Sequence, residues 1–170
     1  MQTGDLAVVR EKIGRLWPKK VRPAVYLAGP VDGVSWDFAW SWRMYAKEVL
    51  EEAGYMVLNP LAGLDLSDCS DVIGIVEKQV ADVMEATVVL AEADQHTAPY
   101  IGTAMEIRIA FEHGIPVLLW GKAHKRSVWL KYHADARFWN LDGALKFLAE
   151  EAEKWRVRME AEAAEKGRNR

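Results

Sequence analysis

Glu106 is the side chain of this sequence whose type and setting best fit a reactive group. It stands in Ile101-Gly102-Thr103-Ala104-Met105-Glu106-Ile107-Arg108-Ile109-Ala110-Phe111, where a polar loop after a strand-like run gives way to helical spacing. Strand, loop and helix start together make the usual ligand-binding edge of an open α/β sheet. Gly102 has no side chain and lets backbone come close to a ligand. A helix start offers free N–H groups and a partial positive charge, so a carboxylate in its first turn is held ionised. An ionised, oriented carboxylate is the nucleophile needed to trap a sugar carbon as its leaving group departs. By spacing alone, Glu106 better suits an acid that only complements the helix dipole.

The elements that must position Glu106 can be read from periodicity and punctuation. Ala24-Val25-Tyr26-Leu27-Ala28 is a short apolar run stopped by Gly29-Pro30, the pattern of a buried strand. Trp36 to Ala53 has helical spacing in Phe38, Trp42, Tyr45, Ala46, Val49 and Leu50, with Gly54 at its end. Tyr55 to Leu58 predicts a second strand, stopped by Asn59-Pro60, and a polar loop with Asp65, Ser67, Asp68, Ser70 and Asp71 follows. Ile73 to Ala86 predicts a helix, Thr87 to Ala91 a third strand, 102–113 a helix ended by Gly114, and Ile115 to Trp120 a fourth strand. This alternation predicts a parallel sheet with helices on both faces and right-handed crossovers. Residues 1–22 read as an amphipathic lead-in, 121–138 as a basic and aromatic segment, and Leu141 to about Arg158 as a helix. There is no internal repeat; 1–158 is expected to form a single domain, and 159–170 a charged tail with little apolar surface to bury.

Composition narrows the function classes. A chain of 170 residues with a net charge of -3 has room for a sizeable core and lacks the basic balance of a nucleic-acid binder. Cys69 is the single cysteine, which excludes a disulfide framework within the chain and a cysteine-based metal site. No apolar run reaches the length of a membrane span, and the first residues do not read as a signal peptide, so a cytoplasmic setting is expected. Neither G-x-G-x-x-G nor the P-loop pattern occurs. His124 and His133 have no second ligand at metal spacing, and packing suits them better. No metal or cofactor is expected.

Tyr26-Leu27-Ala28-Gly29-Pro30, Gly102-Thr103-Ala104-Met105-Glu106-Ile107 and Gly114-Ile115-Pro116-Val117 together resemble the nucleoside 2-deoxyribosyltransferase family, which also contains 2'-deoxynucleoside 5'-monophosphate N-glycosidases. The likeness runs over roughly 24–121 in the same order and spacing. It implies a flavodoxin-like fold and a glutamate that attacks the anomeric carbon of the deoxyribose. Glu106 is the matching position, and Tyr26 matches the tyrosine that lies beside that nucleophile. The resemblance further implies a nucleoside or nucleoside 5'-monophosphate substrate, a free base or water as acceptor, and a homodimer or larger homo-oligomer, in which 122–140 would be the segment that reaches a neighbouring subunit.

Cleaving an N-glycosidic bond also needs an acid for the departing base. Asp82, Glu85, Asp94 and Asp32 are the candidates. The resemblance implies an Asp on the helix before the third strand. Counting back from that strand gives Gln79; counting back from Glu106 gives Asp82, which is preferred. The transferases of the family also carry an Asp six residues before the nucleophile, where this chain has Tyr100. On the substrate side, Gly29 and Gly102 are expected to present backbone, with Pro30, Asp32 and Met105 alongside. Trp36 is a candidate to stack on a base, and Arg43 to meet a phosphate or carboxylate. Each has a plainer alternative: Trp36, Trp40 and Trp42 as core or interface residues, and Arg43 as a surface cation. The expected activity is cleavage of a (2'-deoxy)nucleoside or its 5'-monophosphate, with transfer to a base or to water. The alternatives are a nucleotide sensor without turnover, and an interaction protein using the tryptophans and the charged C-terminal helix.

Overall fold

The structure, a computed structural model, describes residues 2–17, 22–64 and 70–168. Asp65, Ser67, Asp68 and Cys69 lie outside the described residues. In chain order the elements are β1 (Gln2–Gly4), α1 (Leu6–Leu16), β2 (Ala24–Ala28), α2 (Trp36–Glu52), β3 (Met56–Leu58), α3 (Val72–Glu85), β4 (Val88–Glu92), α4 (Ile101–Glu112), β5 (Val117–Trp120), α5 (Val128–His133), β6 (Ala136–Phe138) and α6 (Leu141–Arg168).

Side-chain caps fix where several helices begin. Ser35 accepts from the Phe38 N–H, Asp71 from Gly74 and Ser127 from Leu130, each satisfying a backbone donor that the helix leaves free. Gly54 and Gly114, with φ of 100° and 68°, turn the chain out of α2 and α4.

The sheet order is β1-β6-β5-β4-β2-β3, parallel throughout except for β1, which pairs antiparallel with β6. It is the mostly parallel, helix-covered sheet of a flavodoxin-like α/β fold. Strand alternation splits the core in two. Val25, Leu27, Val88, Leu90 and Leu118 face α1, α2 and α6. Tyr26, Ala28, Val89, Ala91 and Leu119 face α3 and α4. Burying each Val or Leu fully contributes roughly 1.5–3 kcal/mol, so the central strands hold the two layers together.

After β2 the chain runs outward to β3 and then returns to β4 on the other side of β2. This reversal opens a crevice between the carboxyl ends of β2 and β4, the point where such sheets take ligands.

The expected four parallel strands are present, and two more join them. β1 has no large apolar side chain and β6 is an Ala-Arg-Phe triplet inside the basic segment, so neither carries the apolar pattern of a strand. α6 continues through Arg168, so the charged tail extends the helix. Its mostly exposed end carries the ion pairs Arg156–Glu160 and Arg158–Glu162, each one helical turn apart. No helix among the described residues is long and apolar enough to cross a membrane.

Candidate active site at the switch point

Tyr26 comes from the middle of β2 and its ring points to the α3–α4 face, beneath α4. Its hydroxyl donates to Glu106 Oε1 at 2.5 Å. Glu106 lies half-buried at the base of a cleft of about 160 Å³, whose walls include Gly29, Asp32, Gln79, Tyr100 and Gly102. The cleft thus sits in the crevice that the strand order opens.

α4 begins at Ile101, so Glu106 falls in the second turn and the first turn holds no acid. The expectation that the helix terminus keeps Glu106 ionised is therefore corrected, because that field decays within the first turn. Burial raises the Glu106 carboxyl above its ordinary range, while the Tyr26 hydrogen bond and the Arg43 charge pull it back down. Burial, then the neighbouring Glu106, pushes the Tyr26 phenol far up, so Tyr26 stays a donor.

Arg43 is completely buried. It donates to the carbonyls of Ala39 and Gly29, each at 2.7 Å, and of Leu27 at 3.3 Å. Desolvation lowers it to about 10, against the opposing pull of Glu106, Tyr26 and Glu92. Neither sequence expectation describes it: with no exposed surface it is not a surface cation, and its donors are turned to backbone rather than to a ligand. It is a fixed positive charge under the site.

Gly29 is bare for a different reason than expected. A Cβ there would meet Trp42 at 2.9 Å and Arg43 Nη2 and Glu92 Cβ at 3.1 Å, so the space is taken by the floor below it. At Gly102 a Cβ would meet nothing, which leaves the backbone open to a ligand.

The remaining expected residues divide. Pro30 and Asp32 line the cleft, and Asp32 is exposed at its mouth. From α3 the wall is Gln79; Asp82 does not line it, is paired with Lys78 at 2.6 Å, and reaches Tyr26 only through its charge. Asp94 is engaged in accepting from the Lys122 N–H at 2.7 Å. Trp36 stacks on Trp40 with ring centres 5.4 Å apart and lies outside the cleft wall. Met105 points to the other side of α4, into a groove with Trp129 and His133. His133 is buried among Phe111, Trp129 and Tyr132.

One group escaped the sequence reading. Glu92 ends β4, is 1% exposed, and accepts from the Tyr100 hydroxyl at 2.6 Å and from the N–H groups of Asp94 and Gln95. The available signal was an acid closing the apolar run Val88-Val89-Leu90-Ala91. No cluster of three or more His, Cys, Asp or Glu suited to a metal occurs among the described residues.

The family model for nucleoside 2-deoxyribosyltransferase matches residues 25–166, which contain the whole cleft. The chain belongs to the nucleoside 2-deoxyribosyltransferase family. No curated protein matches it. Among solved structures, a conserved protein from Enterococcus faecalis V583 superposes with a TM-score of 0.55 at 18% identity, covering 79% of this chain and 99% of that one. The DNA processing protein A of Helicobacter pylori, described for its single-stranded DNA binding, gives 0.52 at 11% identity, covering 88% and 86%. A 2-deoxyribosyltransferase from Bacillus psychrosaccharolyticus gives 0.49 at 19% identity, covering 60% and 74%. The first two likenesses bear on the fold alone. In this nucleoside 2-deoxyribosyltransferase family member, Tyr26 and Glu106 both fall inside the matched span.

Proposed function

We propose that this chain cleaves the N-glycosidic bond of a nucleoside, with Glu106 as nucleophile. The observation that carries the reading is the 2.5 Å bond from Tyr26 to Glu106 at the base of a cleft in the sheet's switch point. One carboxylate oxygen is held by Tyr26, leaving the other free to attack the anomeric carbon as oxocarbenium character develops. Arg43 below favours the ionised carboxylate, and Tyr26 fixes its orientation. The open space at Gly102 lets the sugar approach the backbone of α4. A covalent glycosyl-enzyme then passes its deoxyribosyl group to a second base or to water. The reading calls on no cofactor or metal.

No lysine or arginine lines the cleft among the described residues. The phosphate of a 5'-monophosphate would therefore depend on the N–H groups at the start of α4. Exposed Met105, Trp129 and Tyr132 on α4 and α5 form an apolar surface suited to a second copy of the chain, in line with a homo-oligomer.

The test is release of free base from deoxynucleosides and their 5'-monophosphates, followed by chromatography. Wild type should release base from one of these classes and Glu106→Ala should not. A protein that binds these compounds and consumes none would favour the sensor alternative.

A further inference from the structure

A second cavity, of about 410 Å³, adjoins the Glu106 cleft and shares Tyr100 and Thr103 with it. Its walls are mostly apolar, including Ala98, Ile107, Leu119 and Leu130. Two features of this wall mark it as more than packing. The Thr103 hydroxyl is buried and has no hydrogen-bond partner among the described residues, although it belongs to the wall between the two spaces. Tyr100 is a non-glycine residue with φ 41°, a left-handed conformation that persists only where its surroundings enforce it. What enforces it is polar: its hydroxyl donates to Glu92 at 2.6 Å and accepts from the Gln95 N–H at 3.0 Å. The ring meets the edge of His124, itself at φ 54°, with centres 4.9 Å apart.

Cleavage at C1' needs a proton for the base, and the expected donors are poorly placed: Asp82 is outside the cleft and Asp32 is exposed at its mouth. Glu92 is the buried acid that touches a residue of the cleft wall and has no role in the nucleophilic step. Among the described residues no lysine or arginine pairs with it.

We propose that the second cavity takes the nucleobase and that Glu92, through the Tyr100 hydroxyl, supplies the proton with which the base leaves. This rests on the reading of Glu106 as nucleophile. In the step, a Glu106 oxygen bonds to C1' as the C1'–N bond breaks and its electron pair goes to the base. When Glu92 is protonated, its 2.6 Å contact with Tyr100 runs the other way: the Glu92 carboxyl donates to the Tyr100 oxygen, whose own hydrogen is then free to point at the base. Tyr100 gives that hydroxyl proton to the base and takes the carboxyl proton of Glu92. Glu106 ends as a neutral ester, Glu92 as a carboxylate and the base as a neutral molecule, so charge and protons balance. Burial raises Glu92 above the ordinary carboxyl range, which favours the protonated form that this step uses. The charged and titratable groups that face the pair are Arg43 from α2, Asp94 and His124 from the loops, and Arg137 from β6. Tyr100 is the catalytic member, since it touches the base; Glu92 acts through it.

The experiment compares a deoxynucleoside with 4-nitrophenyl 2-deoxyribofuranoside, whose leaving group departs without a proton. Tyr100→Phe and Glu92→Gln should lower kcat on the nucleoside by about 100-fold or more beyond any loss on the aryl substrate, the usual worth of general acid catalysis. In wild type the nucleoside-to-aryl rate ratio should hold level at acid pH and fall once Glu92 deprotonates; Tyr100→Phe should lack that inflection. Equal losses on both substrates, or a wild-type ratio without the inflection, would overturn the proposal. If Glu106→Ala still cleaves the aryl substrate, the nucleophile reading fails first, and this proposal with it.

Discussion

The Tyr26 hydroxyl reaches Glu106 Oε1 at 2.5 Å, joining the middle of a central strand to the second turn of a helix that starts beyond a long loop. Burial raises the pKa of both groups, and the hydrogen bond lowers that of Glu106 while raising that of Tyr26. The bond therefore does two things: it orients the carboxylate, and it offsets part of the desolvation that would otherwise keep it protonated.

Tyr26→Phe removes that bond and little else. A hydrogen bond to a charged group contributes about 1.5–3 kcal/mol, so kcat/KM should fall roughly 10- to 100-fold. The acid limb of the pH profile should also move to higher pH, because the lost bond was lowering the Glu106 pKa. A profile of kcat/KM against pH for both proteins measures the two effects together.

Glu106→Gln should stabilise the fold at neutral pH. Its folded pKa is raised, so between the unfolded and folded values the native state holds more protons than the unfolded state. Stability attributable to this group is then lost as pH rises through that window. Gln keeps an oxygen for the Tyr26 hydroxyl and carries no charge to desolvate. The expected result is a higher Tm at pH 7 and a flatter Tm between pH 4.5 and 7, with each kcal/mol read as about 2–4 °C. Glu92, also raised by burial, adds to the slope in the same direction and stays intact as the internal reference.

The two glycines of the cleft should respond oppositely to alanine. Gly29→Ala places a methyl against Trp42, Arg43 and Glu92, and overpacking of this kind costs about 1–3 kcal/mol. Gly102→Ala meets no protein atom and should gain up to about 1 kcal/mol in helix propensity. It should nonetheless lose activity, because its methyl enters the open space proposed for the sugar. Chemical denaturation paired with base release separates the two cases.

Arg43→Met should be the most damaging change to the fold. It strands the buried carbonyls of Leu27 and Gly29, each worth about 1–3 kcal/mol when left without a donor. Any protein recovered should show a raised Glu106 acid limb, since the Arg43 charge lowers that pKa. Urea unfolding and the pH profile are the measurements.

The layout of the central fold was legible because β2, β4 and β5 are continuous apolar runs and the helices between them carry periodic faces. β1 and β6 were not, since an edge triplet and a triplet inside a basic segment have no apolar signature. Within the candidate site, the nearness of Tyr26 to Glu106 was legible from motif and position. Arg43 was misplaced because helical spacing reports which face a residue shares, and not that its guanidinium folds inward onto carbonyls. Of the two positions that the counts offered on α3, Gln79 lines the cleft and Asp82 does not. Glu92 escaped because burial of an acid at a strand end depends on a tyrosine hydroxyl and backbone donors that only the folded loop brings to it.

As the proposed nucleophile, Glu106 should become covalently bonded to the sugar. The direct measurement is rapid quenching of the protein with a deoxynucleoside that it turns over, followed by proteolysis and mass mapping. The expected product is a deoxyribosyl ester on the peptide that contains Glu106, absent from Glu106→Gln. A sugar adduct on another residue, or base release by Glu106→Gln at the wild-type rate, would contradict it.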